Sequence, residues 1–153
     1  MTTTLPPRNE VPVEQTWDLS SIFPTPADWE AACQQVIASL PALSAYQGKL
    51  GSSPQTLLEY INLFQEAATL VGKTMVYASN AYAVDTLDQT AAARAGQVRG
   101  LMARFAAATS FLDPELMRIG FPKLRQWLQD EPGLAFFAFY VDKLELRQAH
   151  VRS

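Results

Sequence analysis

The chain has 153 residues and a net charge of −3; 48% of its residues are hydrophobic and 18% charged. That is too apolar for a disordered chain. With no basic stretch or Arg-rich helix, it excludes nucleic acid and anionic membrane surfaces as expected partners. A chain of this length can form one domain and bury roughly 68–70% of the surface it exposes when unfolded.

No apolar run approaches the roughly 20 residues that a membrane span needs. The start, Met1 to Arg8, lacks the charged segment and apolar stretch of a signal peptide. Cys33 is the only cysteine. It can form no internal disulfide, so a reducing cytoplasm is the expected location. On a helix it reads as a small core residue, since no Lys or His stands near it in sequence to activate a thiol.

Residues 1–15 contain Pro6, Pro7 and Pro12 without periodicity and read as an extended, partly disordered arm. Residues 16–153 read as one helical domain. In Thr16-Trp17-Asp18-Leu19, the apolar area of Trp17 predicts that the segment lies on the body of that domain. The first helix is announced by Thr25-Pro26-Ala27-Asp28, a cap, a proline and a capping-box acid. Trp29, Cys33, Val36 and Leu40 give it one apolar face. Pro41 cannot donate to the carbonyl four residues back, which predicts a kink or break. A short continuation should end near Gly48.

Ser53-Pro54 starts the second helix, whose stripe is Leu57, Ile61, Phe64, Ala68, Val71 and Met75. The pattern continues through Tyr82 to Val84, with a possible bend at Gly72. Thr86-Leu87-Asp88-Gln89 is the next punctuation, with Thr86 and Asp88 as competing caps. The third helix is alanine-rich and should run to about Phe111, burying Ala95, Val98, Leu101 or Met102, Phe105 and Thr109. Asp113-Pro114-Glu115 opens a short helix that Gly120 closes, and Phe121-Pro122 opens another carrying Leu124, Trp127 and Leu128. Asp130-Glu131-Pro132 opens the last, with Leu134, Phe137, Val141 and Leu144 as its stripe. No alternating strand and no Asn-Gly or Asp-Gly hairpin signal is present. The expected fold is therefore all-α: an antiparallel multi-helix bundle or array of about six helices, two or three of them long, after an extended arm. Ser153 would suit the cap of a further helix, as in a chain cut before its next element.

Most catalytic templates fail on counting, because His150 is the only histidine. A zinc peptidase needs two histidines one helical turn apart with a Glu between them to take a proton from metal-bound water. No catalytic residue and no metal ligand is assigned to this chain, and no cofactor is expected in it. A small hydrolase using His150 is the lowest-ranked reading, testable by His150→Ala. Asp85 and Asp88 could form an acid/base pair, but as turn residues they read first as helix caps. The aromatics Tyr77, Tyr82, Phe105, Phe111, Phe136, Phe137, Phe139 and Tyr140 could line a groove for peptides or fill a core. Phe136, Phe137, Phe139 and Tyr140 cannot all face one side of a helix, so some must meet other protein or solvent.

Four segments carry a resemblance. Trp17-Asp18-Leu19-Ser20-Ser21-Ile22-Phe23-Pro24 resembles the "WDLS-x-(I/L)-(F/Y)-(P/S)" opening of oligoendopeptidase F proteins, and Tyr46-Gln47-Gly48-Lys49-Leu50 their "Y-x-G-K-L". Tyr82-Ala83-Val84-Asp85-Thr86 resembles their "YA-x-D-T" helix end. The stretch from Glu131 through Tyr140, Leu144, Glu145 and Arg147 to His150-Val151-Arg152-Ser153 resembles "PEL…Y…LE-x-R…H-x-L-S". Pro41, and Val151-Arg152 before the final serine, depart from the pattern.

The resemblance covers about residue 8 to the terminus. It implies the N-terminal domain of a cytoplasmic zinc metalloendopeptidase, related to thimet oligopeptidase, that cuts short peptides. The family's zinc site, an H-E-x-x-H helix plus a later Glu, lies in a catalytic domain. None of those positions exists here, so the chain itself is expected to be inactive and zinc belongs to the full-length parent. The implied partners are the catalytic domain of the same polypeptide and oligopeptide substrates, with this domain helping to wall the substrate channel. A severed domain could also dimerise. Tyr77, Tyr82 and Asp85, around the best-matching motif, are the substrate-channel candidates. The alternative is a stand-alone helical module that binds a partner helix or peptide.

Overall fold

A computed structural model describes residues 10–148. The first nine residues of the arm, and His150 with the closing Val151-Arg152-Ser153, lie outside the described residues. Among those described there are six α-helices and no strand. They are α1 Pro26–Ser44, α2 Pro54–Val84, α3 Gln89–Thr109, α4 Leu112–Ile119, α5 Phe121–Asp130 and α6 Ala138–Gln148. The all-helical reading and the three long helices are as the periodicities predict. The segment read as an arm contains a 3-10 turn at Val13–Gln15, closed by the amide of Gln15 on the carbonyl of Pro12 at 3.0 Å.

Local chemistry sets the helix ends. Thr25 and Asp28 form a reciprocal capping box at α1: the Thr25 hydroxyl accepts from the Asp28 amide at 3.2 Å, and the Asp28 carboxylate accepts from the Thr25 amide at 2.9 Å. Ser53 caps α2 by accepting from the Thr56 amide at 3.0 Å. Asp88, not Thr86, caps α3, accepting from the amides of Thr90 at 2.7 Å and Ala91 at 3.2 Å.

Two expectations are corrected. No break occurs at Pro41: α1 runs through it to Ser44. The proline sits in the last turn, where one lost backbone bond is tolerated, and its carbonyl still accepts from the Ala45 amide at 3.0 Å. Trp17 does not lie against the body; it is 75% exposed. The 3-10 turn at Leu19–Ser21 is held by Asp18, whose carboxylate accepts from the Ser20 amide, so local bonds order this segment without burying the indole. The short helix expected to open at Asp113-Pro114-Glu115 and close at Gly120 is α4. The helix starts one residue earlier with no side-chain cap, and the Asp113 carboxylate faces α6.

The chain divides into two compact units, and α1, α2 and α3 each contribute to both. The first holds residues up to Ala38 with Ala68–Arg104. Its core joins Phe23, Trp29, Cys33 and Val36 to Val71, Tyr77, Ala78, Ala95 and Val98. The indole N–H of Trp29 donates to the Thr74 carbonyl at 3.0 Å, which satisfies the one polar atom of a side chain only 1% exposed. The alanines of α3 that are buried, Ala91 and Ala95, are small enough for the larger side chains of this core to fill the space beside them.

The second unit holds Ser39–Ala67 and residues from Phe105 onward. Its core is Leu43, Leu50, Leu57, Tyr60, Ile61, Phe111, Leu116, Leu124, Trp127, Leu134, Phe137, Val141 and Leu144. The predicted α6 stripe is fully buried, although its first turn is a 3-10 helix over Pro132–Phe137. On α2 the buried face takes in Tyr60, Ala67 and Thr74, while Phe64, Ala68 and Met75 of the predicted stripe lie at its margin.

Candidate functional site

The three channel candidates occupy the end of α2 and the turn after it, and they sit in different environments. Tyr77 is buried. Its ring packs edge-on to Phe23, with centroids 5.6 Å apart, and stacks on Trp29 at 6.3 Å. Those contacts make it part of a core. Tyr82 is half-buried one turn further on. Asp85 is exposed, and its carboxylate accepts from the Leu87 amide at 2.9 Å, closing an Asx turn. Asp85 and Asp88 are thus both engaged with backbone amides of the α2–α3 turn, which is a cap's role.

Cys33 lies on the floor of a pocket of about 220 Å³ lined by Ile37, Gln97, Gly100, Leu101 and Arg104. The thiol is 1% exposed. Burial, with the Glu30 carboxylate adding to it, pushes its pKa from 9.0 up to about 11. A thiol held protonated at neutral pH is a poor nucleophile and a poor metal ligand. The cysteine is therefore structural, as its place on the stripe predicts.

The polar centre of the second unit is Glu115, which is 6% exposed. Its two carboxylate oxygens accept from the amides of Gly48 and of Leu50, the latter at 3.2 Å. Two oriented N–H donors compensate a buried carboxylate far better than one surface contact would. They also tie α4 to the Tyr46–Leu50 loop. Gly48 holds φ at +81°, the left-handed region that a side chain disfavours, and this aims its amide at Glu115. Sequence reading placed Glu115 only in the first turn of a short helix. The glycine inside Tyr46-Gln47-Gly48-Lys49-Leu50 was the one available signal of a specialised loop.

Around α6, the Tyr140 hydroxyl donates to Asp113, and Arg147 lies 3.5 Å from the same carboxylate. Burial first, and the hydrogen bond to Asp113 second, push the Tyr140 phenol up to about 12. The neighbouring Tyr60 is wholly buried among the rings of Tyr46, Phe64 and Phe111. Its hydroxyl finds no hydrogen-bond partner among the described residues, and burial drives its phenol far above the ordinary range. Among the described residues no group of three or more His, Cys, Asp or Glu side chains could hold a metal ion. Among the described residues no helix is long and apolar enough to cross a membrane. What this arrangement does chemically is hold helices in register.

No family model matches the chain. Curated relatives do. The chain is 30% identical over 149 residues to Oligopeptidase PepF of Bacillus subtilis, a match covering 97% of this chain and 22% of that protein. It is 27% identical over 147 residues to the plasmid Oligoendopeptidase F of Lactococcus lactis subsp. cremoris, covering 95% and 24%. The fold matches the crystal structure of oligoendopeptidase-F from Enterococcus faecium with a TM-score of 0.78, at 19% identity over 84% of this chain and 26% of that one. Matched by these proteins in sequence and in fold along most of its length, the chain is similar to oligoendopeptidase F proteins and spans about a quarter of its relatives' length.

Proposed function

We propose that this chain is the non-catalytic N-terminal domain of a cytoplasmic zinc metalloendopeptidase that hydrolyses short oligopeptides, and that it helps to wall the substrate channel. The observation that carries the reading is the asymmetry of coverage: 97% of this chain matches 22% of the Bacillus subtilis oligopeptidase. The residues in hand support the non-catalytic role. The cysteine is protonated and buried, the best-placed buried carboxylate is bonded to backbone amides, and the turn aspartates cap helices. They do not fit a zinc site, so no catalytic step is assigned to them. The metal and its general base belong to residues beyond this chain's match.

The test has two arms. The full-length gene product should cleave short unstructured peptides, lose that activity to a chelator and regain it with zinc. The 153-residue chain should cleave none of them and bind no stoichiometric zinc by metal analysis. Zinc bound in a 1:1 ratio by the short chain would sink the reading. A stand-alone binding module is the second reading. The largely exposed Trp17 favours it, because an indole in water is a ready anchor for a partner. A gene product that ends at Ser153 would decide for that module.

A further inference from the structure

Helices α1 and α3 enclose the concavity of about 220 Å³ above Cys33, and its lining divides into an apolar floor and a polar rim. The buried Cys33 and Leu101 and the half-buried Ile37 form the floor. Gln97, Gly100 and Arg104 of α3 form the rim. The Gln97 amide is engaged, donating to the Glu30 carboxylate at 3.3 Å. Arg104 is not. Among the described residues its guanidinium has no carboxylate within ion-pair distance. The sequence explains why. α3 contains no Asp or Glu, and the only acids of α1, Asp28 and Glu30, lie in its first two turns. Glu30 meets Gln97, which stands about 10 Å along the helix from Arg104. Gly100 keeps the mouth open, since a Cβ at this position would meet no atom within 4 Å.

We propose that this pocket binds the C-terminal residue of an oligopeptide, with the carboxylate on Arg104 and the apolar side chain on the floor. Two features select that chemistry. An unpaired guanidinium offers parallel N–H donors whose spacing matches a carboxylate. The recess beneath it is apolar, and it is smaller than the roughly 300 Å³ or more that a drug-sized ligand occupies, so it takes one residue and not a whole peptide. A polyanion suits it poorly, because one cation lines it and Glu30 stands at the other end. The choice of a peptide over a free carboxylic acid rests on the reading above, in which the parent protein acts on oligopeptides. Arg104 is then a specificity-determining residue, favouring peptides with a free carboxylate over the same peptides amidated.

The test is an NMR titration of the 153-residue chain, in which the spectrum of each variant also shows whether it folds. The probes are N-acetyl-alanyl-leucine, its C-terminal amide, and isocaproate, the matching acid without a peptide bond. The peptide acid should shift the backbone amides of Gly100, Leu101 and Arg104 saturably, and the amide should bind roughly tenfold more weakly. Arg104→Gln, which removes the charge, and Gly100→Val, which fills the mouth, should each weaken the acid by a similar factor. Arg99→Gln removes the same charge from an exposed position of α3 outside the pocket and should change nothing. Equal binding of acid and amide, or undiminished binding by folded Arg104→Gln, would overturn the site. Isocaproate binding as tightly as the peptide would assign the pocket to free carboxylic acids and overturn the peptide terminus as its ligand. Cleavage is not read in this titration, so a failed pocket leaves the zinc-dependent peptidase test standing, and a failed peptidase test leaves the binding result intact.

Discussion

At the scale of single residues, the groups that matter most to stability are polar atoms taken out of water. Glu115 is the clearest, since its carboxylate serves two amides of a distant loop. Glu115→Gln keeps the size but replaces one acceptor oxygen with a donor that faces an N–H. We expect a loss of roughly 1–3 kcal/mol, read as a lower urea midpoint with an unchanged slope. Cys33 makes a second test. Its thiol, raised to about 11, should react with a thiol reagent near neutral pH only after denaturant unfolds the chain. Fast labelling of the native protein would contradict its burial. Tyr140 sets the behaviour in alkali. Its pKa rises on folding from 10.0 to about 12, so the folded state holds the phenolic proton more tightly than the unfolded one. The associated stability is complete below pH 10.0 and is lost as pH climbs towards about 12. Tyr140→Phe should flatten that part of the stability–pH curve. Neither Glu115 nor Tyr140 was legible as a partner in the sequence, because Gly48 and Glu115, or Asp113 and Tyr140, are brought together only by long-range packing.

At the scale of elements, the helix starts were legible because they are decided within a few residues. Thr25 and Asp28 bond each other's amides as their spacing requires. Thr25→Ala should lower stability by about 1 kcal/mol, and Asp88→Ala by a similar amount at the start of α3. Both are read by thermal unfolding followed through helical circular dichroism. Where two signals compete within one turn, sequence alone does not choose between them. Thr86 and Asp88 were both plausible caps, and Asp88 is selected because its carboxylate reaches two free amides of α3. Pro41 shows the opposite failure. A local rule predicted a kink or break before a short continuation; there is no break, and the neighbouring side chains Leu40 and Leu43, both buried, hold the helix together past the missing N–H. The displaced stripe on α2 has the same cause. Its buried face is set by which neighbours surround each turn, so Tyr60 and Thr74 enter the core and Phe64 and Met75 move to the edge.

At the scale of the whole molecule, the reading makes one joint prediction. The 153-residue chain should be a folded, helical, zinc-free protein without peptidase activity, and cleavage should appear only in the full-length product; mass-spectrometric metal analysis and a fluorogenic peptide assay check the two halves. By itself the sequence determined the fold class and carried the resemblance. Periodicity near 3.6 residues, caps and breakers are local, so they specify six helices and no strand among the described residues before any tertiary contact is known. The single histidine likewise ruled out a zinc site of the H-E-x-x-H kind by counting alone. Only the tertiary structure decided which apolar residues are core and which are surface. Tyr77 and Trp17 are both aromatic, yet one is stacked on Trp29 and the other is 75% exposed. Phe137 and Phe139 are two positions apart in one short segment and end up buried and exposed. The physical reason is the same in each case: burial depends on what lies opposite a side chain, and that neighbour comes from a part of the chain that no local pattern can name.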